Sequence, residues 1–133
     1  REYYFDSRKE GRQRTDEEHY TELEKLADGL HISAVIVDPS AASFIEVIRR
    51  HGRFRVEKAS NAVIDGIRNV ATRLQCGDIF ICDCCADCIR EFGMYRWDEK
   101  ALMDKPIKEN DHSMDDVRYF VHKVFAPELF SFK

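Results

Sequence analysis

Short apolar runs alternate with helical patterns through most of this chain of 133 residues, and that alternation constrains its fold most strongly. A capping box at Thr15 and Glu18 predicts a helix, and residues 32–37 form an apolar run typical of a buried strand. Alternating strands and helices favour an α/β layer fold with right-handed crossovers. The predicted strands lie at 3–5, 32–37, 54–56 and 78–82. The predicted helices run from Thr15 to Gly29, from a cap at Ser40 to Gly52, from a cap at Asn61 to Gly77, and from the last strand to about Tyr95. A polar connection from Asp98 to Asn110 then leads to a terminal helix.

The composition is that of one globular domain, with 44% hydrophobic and 35% charged residues. The chain has no apolar run long enough for a membrane span and no secretion signal, so we expect a soluble protein of the cytosol. A strand-like segment follows Arg1 almost directly, which suggests a piece of a longer polypeptide.

A net charge of −4 argues against a general polyanion binder. Basic side chains nevertheless cluster in two segments that can hold phosphate groups, unless they are ordinary solvated loop charges. The two groups are Arg8, Lys9, Arg12 and Arg14, and Arg49, Arg50, Arg53, Arg55 and Lys58.

Four of the five cysteines lie between residues 82 and 88, with Cys-x-x-Cys spacings at 82/85 and 85/88. Structural zinc sites usually take a second ligand pair from farther along the chain, and no such pair occurs here. We therefore expect Cys82 and Cys88 to be small buried side chains, with a zinc module on Cys82, Cys85 and Cys88 as the alternative.

Asp38 closes the apolar run and precedes Pro39. One interpretation is structural, because an Asp before Pro ends a strand and starts a turn. The other is functional, because a carboxylate at the carboxyl end of a buried strand points to the crevice where α/β sheets bind ligands, and Mg²⁺ or Mn²⁺ prefers such oxygen ligands.

A second acidic segment, residues 111–116, opens the terminal helix. Carboxylates in a first helical turn are stabilised by the helix dipole, which is sufficient to explain Asp116. It does not explain His112, which is spaced i, i+3 from Asp115 so that both can project from one face. The sequence therefore predicts a ligand pair at 112 and 115, which forms one metal site together with Asp38.

These segments carry a resemblance to a known family. Residues 105–119, with the block Asp-His-x-x-Asp-x-x-Arg-Tyr, resemble the nuclease domain of phage terminase large subunits, most closely those of PBSX-type prophages. Residues 36–40, 61–67 and 91–98 extend the resemblance over nearly the whole chain.

The resemblance implies a ribonuclease H-like α/β fold, a mixed sheet flanked by helices, over one nuclease domain at 1–133. It implies an endonuclease that cuts concatemeric double-stranded viral DNA with a two-metal site of Mg²⁺ or Mn²⁺. Asp38, Asp115 and His112 match the family's catalytic and metal-binding positions. Asp116, Asp111 and Lys108 are further candidates. Lys105 or Lys108 can neutralise phosphate charge beside the acids, unless each is an ordinary solvated loop lysine.

The chain also departs from the family pattern. Nothing before Tyr3 supplies the family's first acidic ligand, and neither Glu2 nor Asp6 replaces it, so the first two strands are expected to be missing. No phosphate-binding loop of the Gly-x-x-x-x-Gly-Lys-Ser/Thr type occurs.

The implied partners are an ATPase domain in the same parent chain, the terminase small subunit and the portal protein, in the cytoplasm of the bacterial host. A non-catalytic docking domain of the same fold is the alternative.

Overall fold

The computed structural model describes residues 1–101, 103, 105–109 and 111–129, with side chains as far as Phe125. Two compact units divide the chain, one formed by residues 1–59 and the other beginning at Ser60. The first unit contains α1 (Ser7–Glu10), α2 (Asp16–Ala27), β1 (Val35–Val37), α3 (Ala42–His51) and β2 (Val56–Lys58). The second contains α4 (Val63–Cys76), α5 (Ala86–Met94) and α6 (His112–Leu129).

A β-α-β arrangement organises the first unit. Strands β1 and β2 pair in parallel, with Val35 opposite Val56 and Val37 opposite Lys58, and α3 connects them. The core beneath them is formed by buried residues of α2, β1, α3 and the loop before β2, namely Tyr20, Ala27, Val37, Ile45, Val47, Ile48 and Phe54. The α/β prediction is confirmed at this level. Within the described residues, the sheet has two parallel strands.

The predicted strands are longer than the observed ones. Only the last three residues of the predicted strand 32–37 pair with a neighbour. The predicted strand 54–56 begins at Val56, where pairing with Val35 starts, and Phe54 before it is buried in the core. Residues 3–5 belong to no strand, so that prediction was wrong. Apolar or aromatic side chains favour a strand, but a strand exists only where its backbone pairs with another.

Helix caps follow the sequence in part. The capping box is present, since the Glu18 N–H donates to Thr15 Oγ1 at 3.2 Å and the Thr15 N–H donates to Glu18 Oε2 at 2.7 Å. Gly52 and Gly77 end α3 and α4 in the left-handed conformation, as expected. Ser40 was the wrong cap, because the cap position of α3 is Ala41, one residue later, and it makes no side-chain hydrogen bond. The Ser40 hydroxyl donates to Asp38 Oδ1 instead.

The second unit is helical. Helix α6 packs against α4 and against α5. An apolar cavity of about 260 Å³, open to solvent, lies between the three helices. Ala62, not Asn61, holds the cap position of α4, without a side-chain hydrogen bond. An isolated antiparallel bridge joins Trp97 to Pro106. The predicted connection from Asp98 ends at Asn110, which lies outside the described residues.

The predicted strand at 78–82 is the main correction in this unit. These residues are in no strand, the Phe80 side chain is 84% exposed, and Cys82 is exposed as well. The apolar run predicts a buried strand, but among the described residues no strand pairs with it. Cys88 is buried, as predicted, on the inner face of α5.

Candidate functional site

Asp38 lies at the carboxyl end of β1, as the sequence predicts. The two parallel strands end together here, since the Ala59 N–H that follows β2 donates to the Val37 carbonyl at 2.8 Å. Asp38 Oδ1 accepts hydrogen bonds from the N–H and the hydroxyl of Ser40, at 2.8 and 2.7 Å. The turn-forming interpretation of Asp38 is therefore confirmed, and its role as a metal ligand stays a prediction.

The start of α6 brings two carboxylates to a single cation. Lys108 Nζ lies 3.3 Å from Asp111 Oδ2 and 3.5 Å from Asp115 Oδ2. The Lys108 side chain is 71% exposed, whereas Asp111 is buried and Asp115 nearly so. Two partly desolvated carboxylate oxygens thus share one positive charge at the surface of the second unit.

The contacts of the Lys108 ammonium group indicate whether a divalent cation fits here. It contacts one oxygen of each aspartate, and hard carboxylate oxygens are the donors that Mg²⁺ and Mn²⁺ prefer. Mg²⁺ commonly uses only one or two carboxylates and completes its coordination with water. The donor set of Asp111 and Asp115 therefore fits a hydrated divalent cation. Among the described residues, no group of three or more His, Cys, Asp or Glu side chains is arranged to hold a metal ion.

The other oxygen of Asp115 is held from inside the helix bundle. Arg118 Nη2 donates to Asp115 Oδ1 at 2.9 Å, and the Arg118 side chain is 4% exposed. Its stem packs on Gly66 of α4, where a Cβ atom would lie 2.5 Å from both Cγ and Cδ of Arg118. Neither Arg118 nor Gly66 is among the predicted site residues, although the i, i+3 spacing of Asp115 and Arg118 is a recognisable signal for an ion pair.

A second buried acid supports the same helix start. Glu91 of α5 is fully buried, and the Ser113 N–H in the first turn of α6 donates to Glu91 Oε2 at 2.5 Å. Glu91 thus accepts from one of the backbone N–H groups that a helix start leaves without an intrahelical partner. Sequence reasoning missed this residue, although a glutamate three positions after buried Cys88 lies on the inner face of α5.

The cluster affects the pKa values of its neighbours. Burial by itself lowers the pKa of Lys108, but the charges of Asp115 and Asp111 outweigh burial and raise it. Burial raises the pKa of the Tyr95 phenol, and the charge of Asp115 raises it further. Both shifts follow from negative charge concentrated in a partly desolvated place.

The remaining predicted site residues lie at the surface. His112 and Asp116 are exposed in the first turns of α6, so the helix start contains both, as the sequence predicts. Their roles as ligands stay predictions. Asp38 belongs to the other unit, and a cation shared between it and Asp115 stays a prediction too.

Glutamates neutralise much of the predicted basic surface. Arg50, Arg53 and Arg55 lie 3.9, 3.5 and 2.9 Å from carboxylates of Glu17, Glu24 and Glu57. In the first basic segment, Arg12 and Arg14 pair with Glu18 and Glu22. Apart from Arg14–Glu22, which is partly buried, these pairs have at least one exposed member and are weak, so phosphate groups can compete with them, but they reduce the net positive field.

The comparisons with known proteins support one class, the large terminase subunits of bacteriophages. The chain is 48% identical to the large terminase of the thermophilic bacteriophage D6E, with a TM-score of 0.87 over 92% of this chain and 32% of that one. The ADP complex of the same protein gives a TM-score of 0.88 over 97% of this chain. No family model matches.

A more distant relative agrees. The large terminase subunit of Escherichia phage T5 is 24% identical over 128 residues, which is 92% of this chain and 29% of the relative. The chain thus spans about a third of the length of the proteins it matches. None of the described helices is long and apolar enough to cross a membrane.

Proposed function

We propose that this chain is the metal-dependent endonuclease domain of a phage DNA-packaging terminase, with a ribonuclease H-like fold. Its substrate is concatemeric double-stranded viral DNA, in the cytoplasm of the bacterial host. The ATPase domain of the same parent chain, the small subunit and the portal protein are its partners. The observation that supports this most is that Asp111 and Asp115 present carboxylate oxygens to one shared cation, within a chain 48% identical to a large terminase.

In this proposal Asp38 and Asp115 hold Mg²⁺ or Mn²⁺, and His112 binds or orients beside them. Asp111, whose Oδ2 faces the same ammonium group as Asp115 Oδ2, and Asp116 are the outer candidates that would support the cation. When bound, such cations activate a water molecule and stabilise the 3′ oxygen that leaves. The chain's own residues supply the carboxylates, and Lys108, with its exposed side chain, supplies a positive charge for a phosphate group.

DNA recognition in this proposal is independent of base sequence. Arg and Lys contacts to phosphate groups position a duplex without reading its bases. Because several basic side chains are already paired with glutamates, few of them bind phosphate at full strength. DNA affinity should still fall as salt rises, and a flat response would exclude these segments as the DNA-binding surface.

A plasmid-nicking assay with Mn²⁺ tests the nuclease. It compares the full-length parent protein with its Asp38→Asn and Asp115→Asn variants, which should each lose about 100-fold or more in rate, since metal ions contribute several kcal/mol to such reactions. Asp16→Asn is the matched control, because Asp16 also lies in a first helical turn and is partly buried. Full activity in both site variants would contradict the proposal.

A non-catalytic docking domain is the second candidate. Two observations favour it: Lys108 and Arg118 already occupy both oxygens of Asp115, and the Phe120 and Val124 side chains of α6 are each 50% exposed. Such a domain would bind no Mn²⁺ at millimolar concentration. Titration of the protein with Mn²⁺, followed by electron paramagnetic resonance, therefore separates the two functions.

A further inference from the structure

Arg118 is a buried cation in the middle of the second unit. Its side chain is 4% exposed, and Arg is rarely buried to this extent without full pairing. Nη2 donates to Asp115, but Nε and Nη1 are buried without a hydrogen-bond partner among the described residues. Its Cζ atom lies 5.0 Å from the centroid of the Tyr119 ring, which stabilises the charge in part, but two buried donors without a hydrogen bond remain a cost to the fold.

Gly66 makes room for this guanidinium. A Cβ atom at Gly66 would lie 2.5 Å from two carbon atoms of Arg118, which is far inside van der Waals contact. Any larger residue at 66 therefore has to push the arginine stem away. Glycine is a poor helix former, so Gly66 lowers the helix propensity of α4, but the contact with Arg118 requires a residue without a Cβ atom there. Gly93 of α5 differs, because a Cβ atom there would meet nothing within 4 Å.

The two cations at Asp115 hold it differently. Arg118 binds Oδ1 at 2.9 Å from the interior, with a side chain that packing fixes in place. Lys108 approaches Oδ2 at 3.5 Å from the surface, with a side chain that is 71% exposed. The interior contact therefore sets the orientation of the carboxylate, and the surface contact is the one that another cation can replace.

We propose that Arg118 is the positioning residue of Asp115, aiming Oδ2 at the cation site, and that Gly66 supplies the space this requires. The inference rests on the proposed function, in which Asp115 is a metal ligand. Arg118 itself touches neither metal nor substrate in this scheme. Its contribution is a carboxylate that is already oriented when the cation arrives, as ligand-supporting residues do in metal sites generally.

Mn²⁺ affinity, measured by electron paramagnetic resonance on the full-length parent protein below its melting temperature, tests this directly. Arg118→Met keeps the apolar stem and removes the donors, and it should weaken Mn²⁺ binding about tenfold, the lower limit for loss of a ligand-supporting residue. Arg118→Lys should recover part of this loss. Gly66→Ala should also weaken binding, because it displaces the arginine from a distance. Arg68→Met and Gly93→Ala are the matched controls, at exposed helical positions.

The direction of the change in Mn²⁺ affinity distinguishes a positioning role of Arg118 from competition with the metal for Asp115. If Arg118 only competed with the metal for Asp115, its removal would tighten Mn²⁺ binding, and that result would overturn the inference. Unchanged affinity in folded Arg118→Met and Gly66→Ala proteins would overturn it as well, leaving a purely structural role. Asp115→Asn tests the proposed function independently. If Asp115→Asn leaves Mn²⁺ affinity unchanged, then the metal-ligand role of Asp115 fails; if it weakens binding and the Arg118 variants do not, only the positioning role fails.

Discussion

Replacing Glu91 should show how much the buried carboxylate contributes to the start of α6. The Ser113 N–H, also buried, donates to Glu91 Oε2 at 2.5 Å. A hydrogen bond to a charged group contributes about 1.5–3 kcal/mol, and a neutral one about 0.5–1.5 kcal/mol. Glu91→Leu removes the acceptor entirely, so we expect it to lower the free energy of unfolding by about 1.5–3 kcal/mol. Glu91→Gln keeps an acceptor of the same shape and should cost about 1 kcal/mol.

Urea denaturation followed by circular dichroism measures these differences. Glu109→Leu is the matched control, because Glu109 is exposed in the same unit and its change should stay within about 0.5 kcal/mol. The decisive comparison is between the losses in free energy of unfolding of the two Glu91 variants, since both remove the negative charge and only leucine removes the acceptor. Equal losses for leucine and glutamine would refute the hydrogen-bond argument, and a fully stable Glu91→Leu protein would refute it more strongly.

Three further predictions concern local features. Thr15→Ala should lower stability by about 0.5–2 kcal/mol in a thermal melt, whereas Thr21→Ala in the middle of the same helix should have little effect. Because the pKa of Tyr95 is raised in the folded protein, stability should fall as pH rises above about 10, and Tyr95→Phe should reduce that loss in melts at pH 9 to 11. Lys108→Ala should tighten Mn²⁺ binding by up to about fivefold, the equivalent of an exposed ion pair; weaker binding would contradict competition.

The elements that could be predicted from the sequence are those with local signals. The capping box of α2 lies within four residues, and glycines in the left-handed conformation mark the ends of α3 and α4. Asp38 at the end of β1 also followed from a local pattern, an apolar run closed by a polar turn. In each case the side chains that decide the structure are neighbours in the chain.

The predictions that failed depended on distant partners. Residues 78–82 have the apolar composition of a strand, but strand formation requires a neighbouring backbone that the sequence pattern does not reveal. Ser40 and Asn61 have good capping side chains, yet helices α3 and α4 begin one residue after Ala41 and Ala62. In the first case Ser40 belongs to the turn after β1, where its N–H and its hydroxyl both donate to Asp38 Oδ1.

The candidate site also combines residues that a local sequence pattern reveals with residues whose role depends on a distant contact. The helix dipole explains acidic residues at the start of α6, but it does not explain His112, and the i, i+3 spacing of His112 and Asp115 made this segment recognisable. Arg118 looks like an ordinary helical ion-pair partner of Asp115, and Gly66 looks like a weak point in a helix. Only their contact, a Cβ position 2.5 Å from the arginine stem, gives both a reason to be there. Side chains that would bind a cation can thus be found by their chemistry, whereas residues that orient them are found only through packing, because their own chemistry is common to any helix.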